Sequence, residues 1–177
     1  MKKLLVLDLD ETLIYATEER IEKYDFIVGS YRVLKRPYLE TFLYFCARHF
    51  ELGIWTSSTE SYAKEIVKHI LAKDINISFL WARERCIKEM DLDLYEINYI
   101  KDLKKLKRRG YDLETIIMVD DTPEKLKRNY GNLVRIEPFF GDKNDIELSK
   151  LEIYLKKLKD VENIRAIEKR TWRREDE

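Results

Sequence analysis

Lys3-Leu4-Leu5-Val6-Leu7-Asp8-Leu9-Asp10-Glu11-Thr12-Leu13-Ile14 is the stretch on which the reading of this chain turns. Its apolar run is far shorter than the ~20 residues of a membrane helix and suits a buried strand. Side chains alternate along an extended strand, so Asp8 and Asp10 leave it on one face. Carboxylates held side by side repel unless one is protonated or a cation lies between them. Both remedies suggest chemistry: a Mg²⁺ site, or a nucleophile beside a general acid. The plain alternative is an acidic turn with solvated charges, so the rest of the chain has to decide.

Downstream, Tyr15 to Lys23 is polar with no clear period. Asp25 to Leu34 reads as a hairpin around Gly29-Ser30, a flap or wall beside whatever follows the first strand. Pro37 suits the first turn of a helix whose broad apolar face runs from Leu39 through Cys46. Glu51 to Thr56 is a short strand that empties into Thr56-Ser57-Ser58-Thr59, and Ser57 with Glu60 makes a capping-box pattern. Such a helix entrance is either an ordinary N-cap or a seat for phosphate. Ile75 to Trp81 is β-prone, and the acidic segment Glu89 to Glu96 reads as a loop. A lysine-rich helix then runs through Arg109 to Gly110, with Lys101 at its opening.

Thr115 to Val119 is the clearest buried parallel strand, and it delivers Asp120-Asp121-Thr122-Pro123, with Pro123 starting a helix. Leu133 to Ile136 adds a strand, and a helix from about Asp145 to Leu158 covers the sheet. Strands alternating with helices predict a doubly wound, Rossmann-like α/β fold: a parallel sheet with helices on both faces and a small β-hairpin insertion (about 21–35) after the first strand. Ligands bind outside the carboxyl ends of such strands, where Asp8/Asp10, Thr56 and Asp120/Asp121 all fall.

The 177 residues suit one domain, 1–159, with a charged extension, 160–177, whose Val161, Ile164, Ile167 and Trp172 allow a docked helix or a frayed tail. Lys+Arg and Asp+Glu balance at 34 each, so non-specific nucleic-acid binding is not expected. No apolar run reaches membrane length, and Cys46 and Cys86 form neither a disulfide framework nor a zinc pattern. A soluble intracellular protein, cytoplasmic or nuclear, is the expectation; oligomeric state is not readable. His49 and His69 fall on predicted helices and read as surface or satisfied residues.

Asp8-Leu9-Asp10-Glu11-Thr12 resembles the DxDxT signature of the haloacid dehalogenase superfamily. Leu34-Lys35-Arg36-Pro37, Trp55-Thr56-Ser57-Ser58, Tyr99-Ile100-Lys101-Asp102-Leu103 and Val119-Asp120-Asp121-Thr122-Pro123 are similar to one branch. That branch comprises the phosphatases acting on the carboxy-terminal domain of RNA polymerase II and their NLI-interacting-factor-like relatives. The resemblance runs from Leu4 to about Leu158. It implies Asp8 as nucleophile, Asp10 as general acid/base and carbonyl ligand, and Thr12 as a brace. It implies Thr56 and Lys101 as phosphoryl holders with Ser57 beside them, Arg83 facing substrate, and Asp8, Asp10, Asp120 and Asp121 around Mg²⁺. The branch usually carries Asp-Asn where this chain has Asp120-Asp121, which raises the negative charge at the site. A phosphorylated protein or peptide is the expected substrate. Open alternatives are a small-metabolite or nucleic-acid-end phosphatase and a non-catalytic scaffold, although scaffolds tend to lose the acidic motif kept here.

Overall fold

The computed structural model describes residues 2–91 and 95–174. In chain order the first strands are β1 (Leu4–Leu7), β2 (Ile14–Thr17), β3 (Phe26–Val28), β4 (Tyr31–Lys35), β5 (Glu51–Trp55) and β6 (Phe79–Trp81). Then come β7 (Ile87–Asp91), β8 (Glu96–Ile100), β9 (Ile116–Asp120) and β10 (Leu133–Arg135). The helices are α1 (Leu39–His49), α2 (Glu60–Ile70), α3 (Lys104–Lys107) and α4 (Glu147–Leu158).

Five strands form one sheet in the order β10-β9-β1-β5-β6, each pair parallel. Apart from Asp120 at the end of β9, the centre of the sheet is apolar: β1 and β9 are buried at every position, as strands covered on both faces must be. One face packs Leu5, Leu7, Ile54, Val119 and Val134 against α1, α2 and α4. The other packs Leu4, Val6, Trp55 and Met118 against Leu103, Leu106 and Leu126 from α3 and the turn after β9. Both faces are covered, with the three long helices all on the first. Gly53 in β5 makes room for the Phe79 ring, which would lie 2.3 Å from a Cβ there and would have to move.

Several local readings change. Ile14–Thr17, in the stretch without a visible period, pairs antiparallel with β4, so the insertion is a three-stranded sheet ordered β2-β4-β3. The hairpin turn is as read, with Gly29 at φ 58. Glu89 to Glu96 is not a loop: β7 and β8 pair from Ile87↔Ile100 to Asp91↔Glu96. This ribbon buries little of either face, so no apolar alternation marked it. Residues 92–94, between the two strands, lie outside the described residues. The lysine-rich helix shrinks to α3, because Ile97 to Ile100 belong to β8. Pro123 opens a single 3₁₀ turn, Pro123–Leu126. The Ser57 capping box does not form: α2 begins after Thr59, with no side-chain cap.

After Asp160 the chain makes two 3₁₀ turns in place of a continued helix, and buries Ile164 and Trp172 completely. Trp172 stacks on Tyr154 at 5.3 Å and donates Nε1–H to the Arg135 carbonyl at 2.8 Å. Cys46 and Cys86 are buried free thiols. Among the described residues no helix is long and apolar enough to cross a membrane.

Candidate active site

β1, β5 and β9 deliver Asp8, Thr56 and Asp120-Asp121 to one end of the sheet, the carboxyl end of these parallel strands. The alternation read in the sequence persists past the end of β1. Leu7 and Leu9 enter the helix-covered core, and Asp8 turns to the other side. Glu11 has φ 54, so the chain reverses there and Asp10 bridges to Ile14.

Asp8 and Asp120 are both fully enclosed, and two lysines join them. Lys101, itself buried, places Nζ 2.6 Å from Asp120 Oδ2 and 2.8 Å from Asp8 Oδ1. On the other side Lys125 Nζ donates to Asp8 Oδ2 at 3.3 Å and lies 3.8 Å from Asp120 Oδ1. Two buried carboxylates facing one ammonium would leave a net charge out of water, which costs several kcal/mol. The second lysine closes that imbalance. Burial pushes the Asp8 carboxyl up, but Lys101 and Lys125 outweigh it and hold Asp8 below the usual carboxylate value. Asp120 goes the other way: burial, then the charge of Asp8, push it up to about 6. Lys125 is pushed above the ordinary lysine value because Asp8, Asp120 and Asp121 outweigh its burial.

Asp10 has different neighbours. Tyr62 donates its hydroxyl to Oδ1 at 2.6 Å and Ser58 donates to Oδ2 at 2.7 Å, both from the entrance to α2. Burial raises its carboxyl above the usual value although both hydrogen bonds pull it down. One carboxylate is thus held ionised beside another biased toward its acid form, the division of roles that acid/base chemistry needs. Glu11 is pushed up to about 7, first by burial and then by Asp10, Asp121 and Asp8.

The remaining residues line the rim. Thr12 donates weakly to Asp121 Oδ1 at 3.4 Å. Thr56 is buried and its Oγ1 accepts the Ser58 amide at 3.0 Å, which leaves its own hydroxyl proton free to donate. Ser57 lines a cavity of about 170 Å³ together with Asn98, Tyr99, Thr122 and Lys125. Arg83 donates Nε–H to the Ser57 carbonyl at 2.7 Å and stacks over Tyr99 at 4.8 Å, so it braces this rim. Tyr31, next to the insertion hairpin's turn, packs edge-on against Tyr62 at 5.7 Å, which places the hairpin as a wall beside Asp10.

A family model described as NLI interacting factor-like phosphatase matches residues 3–165. The chain belongs to that family. Among curated relatives, CTD small phosphatase-like protein 2 of Dictyostelium discoideum is 34% identical over 169 residues, which are 91% of this chain and 28% of that protein. The CTD small phosphatase-like protein of Homo sapiens is 33% identical over 155 residues, 83% of this chain and 52% of that one. The chain thus spans about half or less of the length of these relatives. The solved structure of Fcp1, an essential RNA polymerase II CTD phosphatase, superposes with a TM-score of 0.61 at 22% identity, covering 89% of this chain and 49% of that chain. The resemblance to NLI-interacting-factor-like phosphatases and the α/β fold are both borne out.

This member of the NLI interacting factor-like phosphatase family brings Asp8, Asp120 and Asp121 together with one oxygen each, all within 4.8 Å of one another. Three converging carboxylates fit a hard divalent cation that prefers oxygen donors. Two residues at the site, Tyr62 and Lys125, escape the sequence reading, and Ser58 enters it only within the hydroxyl run after β5. Tyr62 adjoins the apolar stripe of α2, and nothing local marks it as a partner of Asp10. Nothing local distinguishes Lys125 from Lys127, because only the 3₁₀ turn after Pro123 aims one inward and the other at Glu89.

Proposed function

We propose that this chain hydrolyses phosphomonoesters through an aspartyl-phosphate on Asp8, with phosphoserine or phosphothreonine protein as substrate and Mg²⁺ as cofactor. The observation that carries the reading is Asp8 itself: a buried carboxylate kept ionised between Lys101 and Lys125, with a proton-biased carboxyl at Asp10 nearby. Asp8, Asp121, the Asp10 main-chain carbonyl and Asp120, directly or through water, would hold the metal. Bound there, Mg²⁺ supplies charge that lets a dianionic phosphoryl group approach carboxylates.

The protein's own groups divide the work. Asp8 attacks phosphorus and forms the P–O bond as the ester P–O bond breaks. Asp10 gives its proton to the departing oxygen, then takes one from the water that cleaves the aspartyl-phosphate, so inorganic phosphate leaves and both carboxyls are restored. Lys101 and the Thr56 hydroxyl hold the non-bridging oxygens. A protein substrate is supported by the names of the relatives and by the low three-stranded insertion, which walls one side of the site.

Release of phosphate from an aryl phosphate and from phosphoserine peptides, with Mg²⁺ and with EDTA, tests the proposal. Turnover that needs Mg²⁺ supports it. Folded protein that turns over neither substrate rejects it. The proton donor has its own signature. Tyr62→Phe removes a hydrogen bond to the Asp10 carboxylate, so Asp10 should stay protonated to higher pH. The alkaline limb of the pH–rate profile is therefore expected to move upward, and a fixed or lowered limb would remove Asp10 from the donor role.

A further inference from the structure

A second cationic site adjoins this one. A cavity of about 560 Å³ lies beyond Pro123, between the β10 edge and the chain after Asp160, walled by Tyr130, Arg135, Arg165, Glu168, Lys169 and Arg170. Its carboxylate, Glu168, is taken by Arg170 at 2.6 Å. Lys169 is 5% exposed and donates to the carbonyls of Ile164 and Ile167, at 2.5 and 2.6 Å. Among the described residues no carboxylate pairs with Lys169, Arg135 or Arg165, so the cavity keeps an excess of positive charge. Tyr130, 55% exposed, and Ile167 add apolar surface beside it.

Its place is set by the sheet. Arg135 pairs in register with Asp120, which neighbours Asp8, and in-register residues of parallel strands point to the same face. At the usual strand spacing Arg135 sits two strands, about 10 Å, from Asp8. An extended peptide covers roughly 10–13 Å in three or four residues.

We propose that this cavity binds a second phosphate on the same peptide, about three or four residues from the phosphoryl group at Asp8, so that multiply phosphorylated segments are preferred. The inference rests on the phosphoprotein reading above. Two arginines and a buried ammonium lining one cavity, none of them paired with a carboxylate among the described residues, suit a phosphate dianion, which accepts several charge-assisted hydrogen bonds.

The test uses the full chain carrying Asp8→Asn, so that peptides are not consumed. Affinities are compared by fluorescence anisotropy for one phosphoserine peptide and for versions with a second phosphoserine two, three, four or eight residues away on either side. We expect the three- or four-residue spacing to bind about 10-fold tighter than the single phosphate, with a preference that weakens as salt rises. With Arg135→Ala and Arg165→Ala added, that ratio should fall below about 2-fold, and Arg165→Lys should restore part of it. Because a ratio is read within each protein, a general loss of affinity cancels. Equal binding at every spacing, a preference that survives the arginine variant, or no binding of any peptide overturns the proposal. Aryl phosphate turnover by the wild-type chain is measured alongside. Its absence removes the phosphatase reading itself, whereas turnover without a spacing preference removes only the second site.

Discussion

Asp8→Asn is expected to lower phosphomonoester turnover by on the order of 10⁴-fold or more while leaving a folded protein. An amide has the shape of the carboxylate but no anionic oxygen with which to attack phosphorus. Folding should survive because the change is isosteric in a site already enclosed by Lys101, Lys125 and Asp120. The lost attraction to the lysines is partly offset, since the charge of Asp8 helps push Asp120 up to about 6. Without that charge Asp120 stays ionised to lower pH and keeps both ammoniums paired. A thermal midpoint lowered by roughly 3–8 °C is the corresponding expectation. Aryl phosphate kinetics and a melting curve check both parts, and activity within about 10-fold of wild type would show that Asp8 is not the nucleophile. Because Asp8 is held below the usual carboxylate value, its own protonation should not limit wild-type activity until the pH falls beneath that of an ordinary aspartate.

The largest expected loss of stability lies outside the reacting groups, at Arg36→Met. The Arg36 side chain is buried and its guanidinium makes four hydrogen bonds. Nε and Nη2 donate to the two Asp145 oxygens at 2.9 and 2.8 Å, Nη1 to the Thr12 carbonyl at 3.0 Å, and Nη2 also to the Glu137 carbonyl at 2.9 Å. The group thereby ties the loop after β1 to the segment before α4, residues more than 100 positions apart in sequence. Methionine keeps the apolar stem but removes the arginine's bonds to two carbonyls and to Asp145, whose carboxylate retains the Glu147 amide. Removing one partner of a buried pair costs about 3–5 kcal/mol. A domain of this size is stable by only about 5–15 kcal/mol, so a fall in melting temperature of about 10 °C or more is expected. Arg36→Lys should recover less than half, because a point charge cannot reproduce the planar fork. A variant that melts within about 2 °C of wild type would rule out this bridging role. Activity measured well below the melting temperature should also drop, since Thr12 meets Asp121 through the loop that Arg36 anchors.

Where a residue's fate depended on its neighbours in sequence, the reading from sequence matched the structure. The unbroken apolar runs of β1 and β9 could only be central parallel strands, and their carboxyl ends had to present Asp8 and Asp120-Asp121. Gly29-Ser30 marked its turn because glycine adopts positive φ without strain. Periodicity failed where burial is one-sided and short, as in Ile14–Thr17, or nearly absent, as in the β7–β8 ribbon. The Ser57–Glu60 pattern misled because Ser58, one residue on, is turned to Asp10 and α2 starts only after Thr59.

Tertiary structure alone decided the partners. Of the many lysines, packing sends Lys101 and Lys125 to Asp8, and it brings Tyr62 of α2 to Asp10. It also closes Arg36 on Asp145 and sets Arg135 beside Asp120. Hydrophobic pattern is a local property that says which way a side chain faces. A charge pair between distant segments depends on how the strands are ordered and the loops closed, and that is settled only when the whole core packs.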